Sequence, residues 1–448
     1  MARGLFGGDL LSRLDLFDVQ QTDIIAWRVG LQRFYLSRSP EHLEHVFIGA
    51  QDRYRKSVHY RLIAAVTGDG LLTAEGEPWV RSRRLVQPVF AKRHLDALTP
   101  HMVSATEHFL ARWDELPDRS TIDVAAAMSE LTLDVVGRAL FGATLSDAVE
   151  RLRPAVVVGL RTGVAAARLQ MLLALPRALV DLGGRLLFWA PLLPRSLRRV
   201  RDAMRTIDSV VNSIIDARMV GPTDAAGDTD LLDLLLAARD EDGTAMGRRQ
   251  VRDEVVTMML AGHETTANGL AWLWHLLAEH PDARNRVIAE VDAVLGDRPP
   301  TGADIDRLTW TTACFQEAMR LYPPAWVLER EAVADDHLGA YRVPRRSTVI
   351  FPVWSIHRDP RWWDDPNNFA PERFLPDRPA PRRGTYLPFG AGRRVCVGAA
   401  FAQMEGVLLT AMITQRYTLE PVPGAEIVPE PTVTLRPRHG LPMALEAR

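Results

Sequence analysis

The chain begins with a pattern of short strands. Asp23 to Gly30 and Gln32 to Arg38 are rich in β-branched and aromatic residues, which favours two neighbouring strands. Ser39 and Pro40 follow in the order of an N-cap and a first helical residue, so the pattern predicts that a helix begins there.

Most of the remaining chain has a helical hydrophobic period. It is nearly continuous from about Ala91 to Val220, and it resumes from Arg248 to His280 without a proline, which is unusually long for a globular protein. Further helices are predicted from Thr301 or Asp304 to Tyr322 and from Ala399 to Thr414. The pattern indicates a mainly α fold with small β-sheets, in which one long helix crosses the whole domain.

Two short strands and one irregular segment complete the pattern. The strand-like pieces are Tyr341 to Val343 and Thr348 to Trp354. Arg358 to Pro388 has no clear period, and it is too rich in large residues to be a flexible linker, so we expect an ordered loop. No fused reductase module is recognisable, and we expect a single domain over residues 1–448.

Composition narrows the function. The 448 residues are 47% apolar and 25% charged, and the net charge of −2 provides no general field to attract nucleic acid. No stretch reaches the roughly 18 apolar residues that span a bilayer, and Met1 to Gln20 lacks the apolar core of a signal peptide. These observations favour a soluble, cytoplasmic protein. The two cysteines, Cys314 and Cys396, exclude a disulfide framework and a structural zinc site as the architecture.

Cys396 stands in a glycine-rich loop, Phe389 to Gly398, that leads into a helix. An isolated cysteine is usually a small buried hydrophobic residue. Here the flanking glycines allow the backbone to approach a flat, bulky group, and both Arg394 and the helix N-terminus favour a thiolate. One thiolate suits an axial haem ligand, whereas an iron–sulfur cluster needs four cysteines.

The loop resembles the haem-binding loop of the cytochrome P450 superfamily, FxxGxRxCxG. Phe389, Gly392, Arg394, Cys396 and Gly398 occupy its fixed positions. The resemblance implies a cytochrome P450 fold with the long helix over haem b. It also implies that Cys396 ligates the iron, that Phe389 packs over the sulfur and that Arg394 reaches a haem propionate.

The long helix carries a second match, Ala261 to Thr266. A glycine and two threonines are unfavourable inside a helix, so local widening is expected, and a packing accommodation is the alternative explanation. The segment resembles the oxygen-binding groove of the same family. The resemblance implies that Ala261 and Gly262 leave room for dioxygen beside the haem, that Thr265 hydrogen-bonds to it, and that Glu264 relays protons.

Glu317 and Arg320 lie three residues apart, on one face of a predicted helix. Such a pair is usually an exposed ion pair that contributes little stability. In the family, an arginine of a later segment completes a buried Glu-Arg-Arg network. The resemblance assigns that position to Arg373 and gives the triad a structural role in holding the cysteine loop.

Three further residues resemble haem propionate ligands of the family. Trp79 and Arg83 lie on one helical face, and either a simple Arg-aromatic contact or a propionate site explains the pair. Arg330 matches a third position by loop length. Arg81, Arg84 and Arg393 could form a basic patch for an acidic ferredoxin, or they are ordinary solvated arginines.

The resemblance implies a monomeric haem-thiolate monooxygenase that inserts one oxygen atom of O2 into a small apolar substrate. Electrons would come from NAD(P)H through a separate ferredoxin and ferredoxin reductase. We expect hydroxylation or epoxidation of a terpenoid, fatty acyl or polyketide compound in secondary metabolism. The alternatives are a peroxide-dependent haem-thiolate enzyme and a non-catalytic binder of hydrophobic ligands. The expected pocket wall is apolar, and its segments are Ile63 to Thr73, Val156 to Trp189, Met258 to Thr265, Ala325 to Glu329 and Arg436 to Leu441, with Leu186 to Leu193 as a substrate-entry loop or plain core.

Overall fold

The structure is a computed structural model, and it describes residues 23–142, 195–220 and 230–448, apart from residue 31, together with a few isolated positions before residue 159. Helices dominate this part of the chain. In order they are α1 Pro40–Glu44, α2 Tyr60–Thr67, α3 Gly76–Val86, α4 Lys92–Trp113, α5 Val124–Phe141, α6 Arg195–Val220, α7 Leu231–Ala237, α8 Arg248–Glu279, α9 Pro281–Leu295, α10 Thr309–Leu321, α11 Val353–Ile356 and α12 Ala399–Arg416.

The strands are short. They are β1 Ile24–Val29, β2 Gln32–Ser37, β3 Tyr54–Arg55, β4 Ser120–Asp123, β5 Leu328–Ala332, β6 Asp336–Leu338, β7 Tyr341–Val343, β8 Thr348–Phe351, β9 Tyr417–Pro421, β10 Pro429–Pro431, β11 Leu435–Pro437 and β12 Pro442–Ala447. The largest described sheet has the order β1-β2-β8-β5-β3, with β2 parallel to β8, and another has the order β4-β12-β9. The pairs β6-β7 and β10-β11 are hairpins.

Helix α8 is the central element of the helical core. It is 32 residues long, begins after Gly247 and ends before Pro281, whose ring cannot continue it. It packs on α5, α6, α10 and α12, so most of its side chains are buried on all sides. The helix therefore crosses the protein, as the uninterrupted hydrophobic period predicts.

The five-stranded sheet has an apolar cluster of its own, which also packs the cysteine loop. Leu387 and Ala391 at the start of that loop contact the cluster, whose members include Phe47 and Phe351. Gly392 has φ of +70°, and a Cβ there would lie 2.1 Å from the carbonyl oxygen of Phe47. Only glycine fits this contact, which fixes the cysteine loop against the one-turn π-helix His45–Gly49.

Most predicted elements are confirmed with small shifts. The two N-terminal strands, α1 and the long helix are present. The helix predicted from Thr301 or Asp304 begins only at Thr309, because Thr301 and Asp304 form a capping box on a separate 3-10 helix, Gly302–Arg307. The nearly continuous helical period predicted from Ala91 to Val220 did not indicate strand β4, where Ser120–Asp123 pairs with the C-terminal strand β12.

Other predictions meet the structure in part. Arg358 to Pro388 is irregular and ordered, with a 3-10 turn at Pro371–Phe374 and a buried Trp363. Residues 159–194, which include the predicted entry loop Leu186 to Leu193, lie outside the described residues. Within the described ranges no helix is both long and apolar enough to cross a membrane.

Candidate active site

Cys396 lies at the end of a tight loop immediately before α12. Its backbone amide donates to the carbonyl of Phe389 at 2.9 Å, which closes the loop around the 3-10 turn Gly392–Arg394. Cys396 is exposed, whereas Cys314 is buried. Burial raises the pKa of the thiol, whereas the amide of Gly398 and the guanidinium of Arg83 act in the opposite direction. A cation bound at the sulfur would favour the thiolate further.

The middle of α8 contains a short stretch that is less buried than the rest of the helix. Ala261 is exposed, and Gly262 and Thr265 are half-buried, although the helix around them is buried. The Thr265 hydroxyl donates to the Ala261 carbonyl at 2.7 Å. A Cβ on Gly262 would lie 3.3 Å from Val136 of α5, so this glycine also allows close helix packing.

The predicted widening of α8 was wrong, because the helix is a continuous α-helix through this segment. The hydroxyls add hydrogen bonds to the carbonyls and leave the helix intact: Thr132 of α5 donates to the His263 carbonyl at 3.1 Å. His263 itself is buried, and its Nε2 bonds to the Ser129 hydroxyl at 2.9 Å, as expected for a packed histidine rather than a ligand.

Glu264 points toward the β10-β11 hairpin. Burial raises the pKa of its carboxyl, and the hydroxyl of Thr434 and the guanidinium of Arg436 act against this shift. The Asn268 side-chain amide donates to the Thr434 oxygen at 3.1 Å, so the hydroxyl proton of Thr434 is available to Glu264. A carboxyl whose pKa is raised toward neutrality can hold and release a proton.

The predicted triad of Glu317, Arg320 and Arg373 is assembled. Arg320 donates two hydrogen bonds to Glu317, each 2.7 Å long, and both side chains are fully buried. Arg373 forms an ion pair with Glu317 at 3.4 Å. The remaining donors of Arg320 bind the backbone carbonyl of His357, at the end of α11, and those of Pro366 and Asn368 in the irregular loop. The pair therefore fastens this loop to α10.

Trp79, Arg394 and Arg330 belong to one buried polar cluster. Arg394 lies over the Trp79 ring at 4.3 Å and donates to Glu75 at 2.8 Å. Arg330 is buried, and its charge acts on Arg394. The carboxylates of a haem would neutralise this positive charge. The guanidinium groups of Arg330 and Arg394 therefore fit the haem that the cysteine-loop motif implies.

Arg83 contacts the cysteine loop. It donates to the Val395 carbonyl at 2.7 Å and to Gln87, so it contacts the cysteine loop rather than pairing with Trp79. Arg81 and Arg84 bind Asp240, and this local pairing weakens the predicted basic patch, whose third member Arg393 is exposed.

Sequence reasoning missed Lys56 and Glu75 of the same polar cluster. Lys56 is buried beside Tyr60, with its Nζ 4.0 Å from the centre of the ring. The sequence feature that could have indicated Lys56 is the rarity of lysine, because Lys56 and Lys92 are the only lysines among 54 lysine and arginine residues.

Comparisons with known proteins agree with this geometry. The family model for cytochrome P450 matches residues 9–441. A Mycobacterium tuberculosis protein named as cytochrome P450 132 is 41% identical over 94% of this chain and 89% of its own. Cyclooctatin synthase of Streptomyces melanosporofaciens is 34% identical over 92% of this chain and 86% of its own. Pentalenene oxygenase of Streptomyces avermitilis is 31% identical over 95% of this chain and 90% of its own.

A solved structure gives the same architecture. The haem domain of cytochrome P450DA superposes with a TM-score of 0.86 over 99% of this chain and 95% of that chain, at 23% identity. The likeness extends through the helices and sheets described above and confirms the predicted fold. The chain therefore belongs to the cytochrome P450 family and is a cytochrome P450 monooxygenase.

Proposed function

We propose that this protein is a haem-thiolate monooxygenase that hydroxylates or epoxidises a small apolar molecule of the terpenoid, fatty acyl or polyketide class. The observation that carries the proposal is the exposed Cys396 thiol in a closed glycine-rich loop, within a fold whose otherwise buried central helix leaves Ala261 exposed and Thr265 half-buried. The whole chain would act as one domain and receive electrons from NAD(P)H through a ferredoxin and its reductase.

Haem b, held by Cys396 and by the polar cluster around Arg330 and Arg394, would supply the activation of dioxygen. One oxygen atom enters the substrate, and the other leaves as water. The chain's own part is to orient the reactants and to deliver protons. The Thr265 hydroxyl donates its hydrogen to the Ala261 carbonyl, so its oxygen can accept a hydrogen bond from another group.

Glu264 would supply the protons. Its carboxyl interacts with Thr434 and Arg436 of the β10-β11 hairpin, and Arg436 also pairs with Glu430 at 2.9 Å. Burial raises the pKa of Glu264, which brings it closer to the pH at which a general acid works best. In the proposed relay, Glu264 passes its proton toward the site of Thr265, the next residue of α8.

The apolar substrate class is supported by the described pocket wall. Ile63, Met258, Leu260 and Val327 are apolar and only half-buried, although they lie within the body of the protein. Half-exposed apolar side chains in such a position favour an apolar ligand. Relatives named pentalenene oxygenase and cyclooctat-9-en-7-ol 5-monooxygenase, from Streptomyces, support oxygen insertion into compact carbon skeletons.

The decisive experiment is the absorbance difference spectrum of reduced protein with and without carbon monoxide. We expect a strongly red-shifted Soret band for the wild type and for Cys314→Ala, because Cys314 is buried away from the loop. Cys396→Ser should lose that band. A red-shifted band that persists in Cys396→Ser would overturn the assignment of the ligand.

A turnover assay then distinguishes a monooxygenase that uses O2 from an enzyme that uses hydrogen peroxide. We expect product formation with NADPH, ferredoxin and ferredoxin reductase in the presence of O2. A protein that turns over only with hydrogen peroxide, or that binds apolar compounds without any product, would contradict the monooxygenase assignment.

A further inference from the structure

One face of α8 carries three polar or aromatic side chains, four residues apart, that contact the β10-β11 hairpin. Trp272 donates from Nε1 to the Leu435 carbonyl at 3.1 Å, and the side-chain amide of Asn268 donates to the Thr434 hydroxyl oxygen at 3.1 Å. Glu264 lies one turn earlier on the same face, and its carboxyl also interacts with the Thr434 hydroxyl. The acid of the proposed relay therefore belongs to the contact between the central helix and the hairpin.

The turn of this hairpin is itself held in place. The Thr434 carbonyl accepts the backbone amide of Thr432 at 3.0 Å and the hydroxyl of the same residue at 2.7 Å. The Leu435 amide donates to the Pro324 carbonyl at 3.0 Å, and Trp326 donates from Nε1 to the Thr432 carbonyl at 3.0 Å. Thr434 is 5% exposed. Its hydroxyl is therefore fixed at a defined position beside α8.

The hydrogen-bond pattern gives this hydroxyl a direction. A threonine hydroxyl has one hydrogen, and the Asn268 amide already supplies a donor to its oxygen, so its own hydrogen is available to Glu264. Hydrogen bonding to a carboxylate favours the charged form. Burial raises the pKa of Glu264, and the Thr434 hydroxyl acts against this shift. Arg436, the charged group of β11 that acts on Glu264, works in the same direction and is itself paired with Glu430 at 2.9 Å.

We propose that Thr434 is a positioning residue for the proton donor, whose hydroxyl, oriented by Asn268, holds the Glu264 carboxyl at the β10-β11 hairpin. The inference rests on the proposed monooxygenase function, in which Glu264 supplies protons, and deepens it. The bond opposes the effect of burial, so Glu264 is a stronger acid with it than without it. Thr434 therefore acts on the reaction through Glu264.

The test compares variants that separate the hydroxyl from the packing of the hairpin. Thr434→Val removes the hydroxyl and keeps the shape, whereas Thr434→Ser keeps the hydroxyl. Thr432→Val is the matched control, because it removes a hydroxyl of the same turn that donates to the Thr434 carbonyl. The measurement is a pH titration of each purified haem-loaded protein by infrared difference spectroscopy. The carbonyl band of protonated Glu264 is identified by its absence in Glu264→Gln.

We expect the midpoint of this band to move up by about one pH unit in Thr434→Val, the size of one hydrogen bond to a charged group. Thr434→Ser and Thr432→Val should keep the midpoint of the wild type. If Thr434→Val is not recovered in folded form, Thr434→Ala removes the same hydroxyl with less volume and should shift the midpoint in the same direction.

Coupling gives a second readout. At a pH below both midpoints, where Glu264 is protonated in both proteins, the ratio of product formed to NADPH consumed should fall about threefold in Thr434→Val, because a weaker acid transfers its proton more slowly. The affinity for an apolar compound in a spectral titration should not change. A disturbed hairpin would alter that affinity as well.

A wild-type midpoint in Thr434→Val overturns the proposal. Equal shifts in Thr434→Val and Thr432→Val also overturn it, because they would show that packing of the hairpin, and not the hydroxyl, acts on Glu264. A shifted midpoint with wild-type coupling refutes the role in proton delivery. Failure of the proposed function is distinguishable from these outcomes. A wild type without the red-shifted carbon monoxide band defeats the function, whereas a wild type with that band and an unmoved midpoint in Thr434→Val defeats only the role of Thr434.

Discussion

At the scale of single residues, two glycines of the cysteine loop show what the motif requires. Gly390 and Gly392 both have positive φ, of +76° and +70°. A Cβ on Gly390 would meet nothing within 4 Å, whereas a Cβ on Gly392 would lie 2.1 Å from the Phe47 carbonyl oxygen. Gly392, the fixed position of the motif, is therefore required by packing as well as by backbone conformation.

We expect Gly392→Ala to reduce the yield of haem-loaded protein much more than Gly390→Ala. Both changes introduce backbone strain of about 1 kcal/mol, but only Gly392→Ala forces the loop away from the π-helix. The measurement is the fraction of purified protein with a red-shifted carbon monoxide band. Equal yields for the two variants would show that the contact with Phe47 does not position the loop.

The Thr265 hydroxyl gives a second prediction at this scale. Thr265→Ala should bind substrate normally and divert reducing equivalents to peroxide, because the cavity loses the hydroxyl that the Ala261 carbonyl orients. We expect the ratio of product formed to NADPH consumed to fall by at least about tenfold, in line with the loss of a proton-transfer group.

Thr265→Ser is the control, since it keeps the hydroxyl and should retain most of the coupling. The assay uses an apolar compound that shifts the Soret band in a binding screen. If Thr265→Ala forms product with the coupling of the wild type, Thr265 has no part in proton delivery.

At the scale of elements, buried acids fasten the turn Gly68–Gly70 to helix α8. Asp253 accepts the amide of Asp69 at 3.0 Å, and Glu254 accepts the amide of Leu71 at 2.9 Å. A Cβ on Gly70 would lie 2.6 Å from the Asp253 carbonyl oxygen, so turn and helix are in direct contact. The turn belongs to the segment predicted to line the pocket, and the acids therefore position part of its wall.

Glu254 makes this connection sensitive to pH. It is fully buried, and burial raises its pKa to about 7, from 4.5. The folded protein therefore binds the proton more tightly than the unfolded chain does. The resulting stabilisation is complete below the unfolded pKa and is lost as the pH rises through about 7.

We expect the free energy of unfolding to fall by up to about 3 kcal/mol from this group between pH about 5 and about 8.5. Glu254→Gln should remove that part of the pH dependence and stabilise the protein at the upper end of the range. Urea unfolding across the range measures it, with the exposed Glu115→Gln as control. Identical pH profiles for Glu254→Gln and the wild type would refute the shift.

The elements also show how far sequence reasoning reaches. The long helix, the N-terminal strands and the triad of Glu317, Arg320 and Arg373 follow from local period or from a motif with fixed spacing. Strand β4 does not, because its partner β12 lies more than 300 positions later and the residues around it continue a helical period. Long-range pairing leaves no local signal in a single sequence.

The same limit applies to the site. Cys396, Thr265 and Glu264 stand in contiguous motifs, so the sequence alone indicated them. Lys56 belongs to the polar cluster because segments that are distant in sequence meet around it. Arg83 donates to the Val395 carbonyl of the cysteine loop instead of contacting Trp79. Contacts between segments decide these placements, and neither spacing nor residue type predicts them.

At the scale of the whole molecule, the described residues form two large apolar clusters. The helical core packs around α8, and the five-stranded sheet has its own apolar cluster that includes Val349 and Phe351. Cys396 lies in the loop that packs against the sheet cluster and leads into α12, and Ala261 lies in α8 of the helical core; both are exposed. A haem between them would fill the space beside both residues, and its carboxylates would neutralise the cations around Arg330 and Arg394.

Removal of haem should therefore destabilise the protein locally rather than uniformly. A ligand that binds only the folded state adds RT ln(1 + [L]/Kd), so the haem-free protein should unfold at a distinctly lower temperature. Hydrogen exchange should accelerate in the cysteine loop, in the middle of α8 and around Arg330, because these segments lose a packing partner or a counterion. The sheet strands β2 and β8 should keep their protection, since their cluster needs no cofactor. Uniform acceleration over core and sheet would show instead that haem holds the entire fold together, and no acceleration at Arg330 would separate that residue from the cofactor.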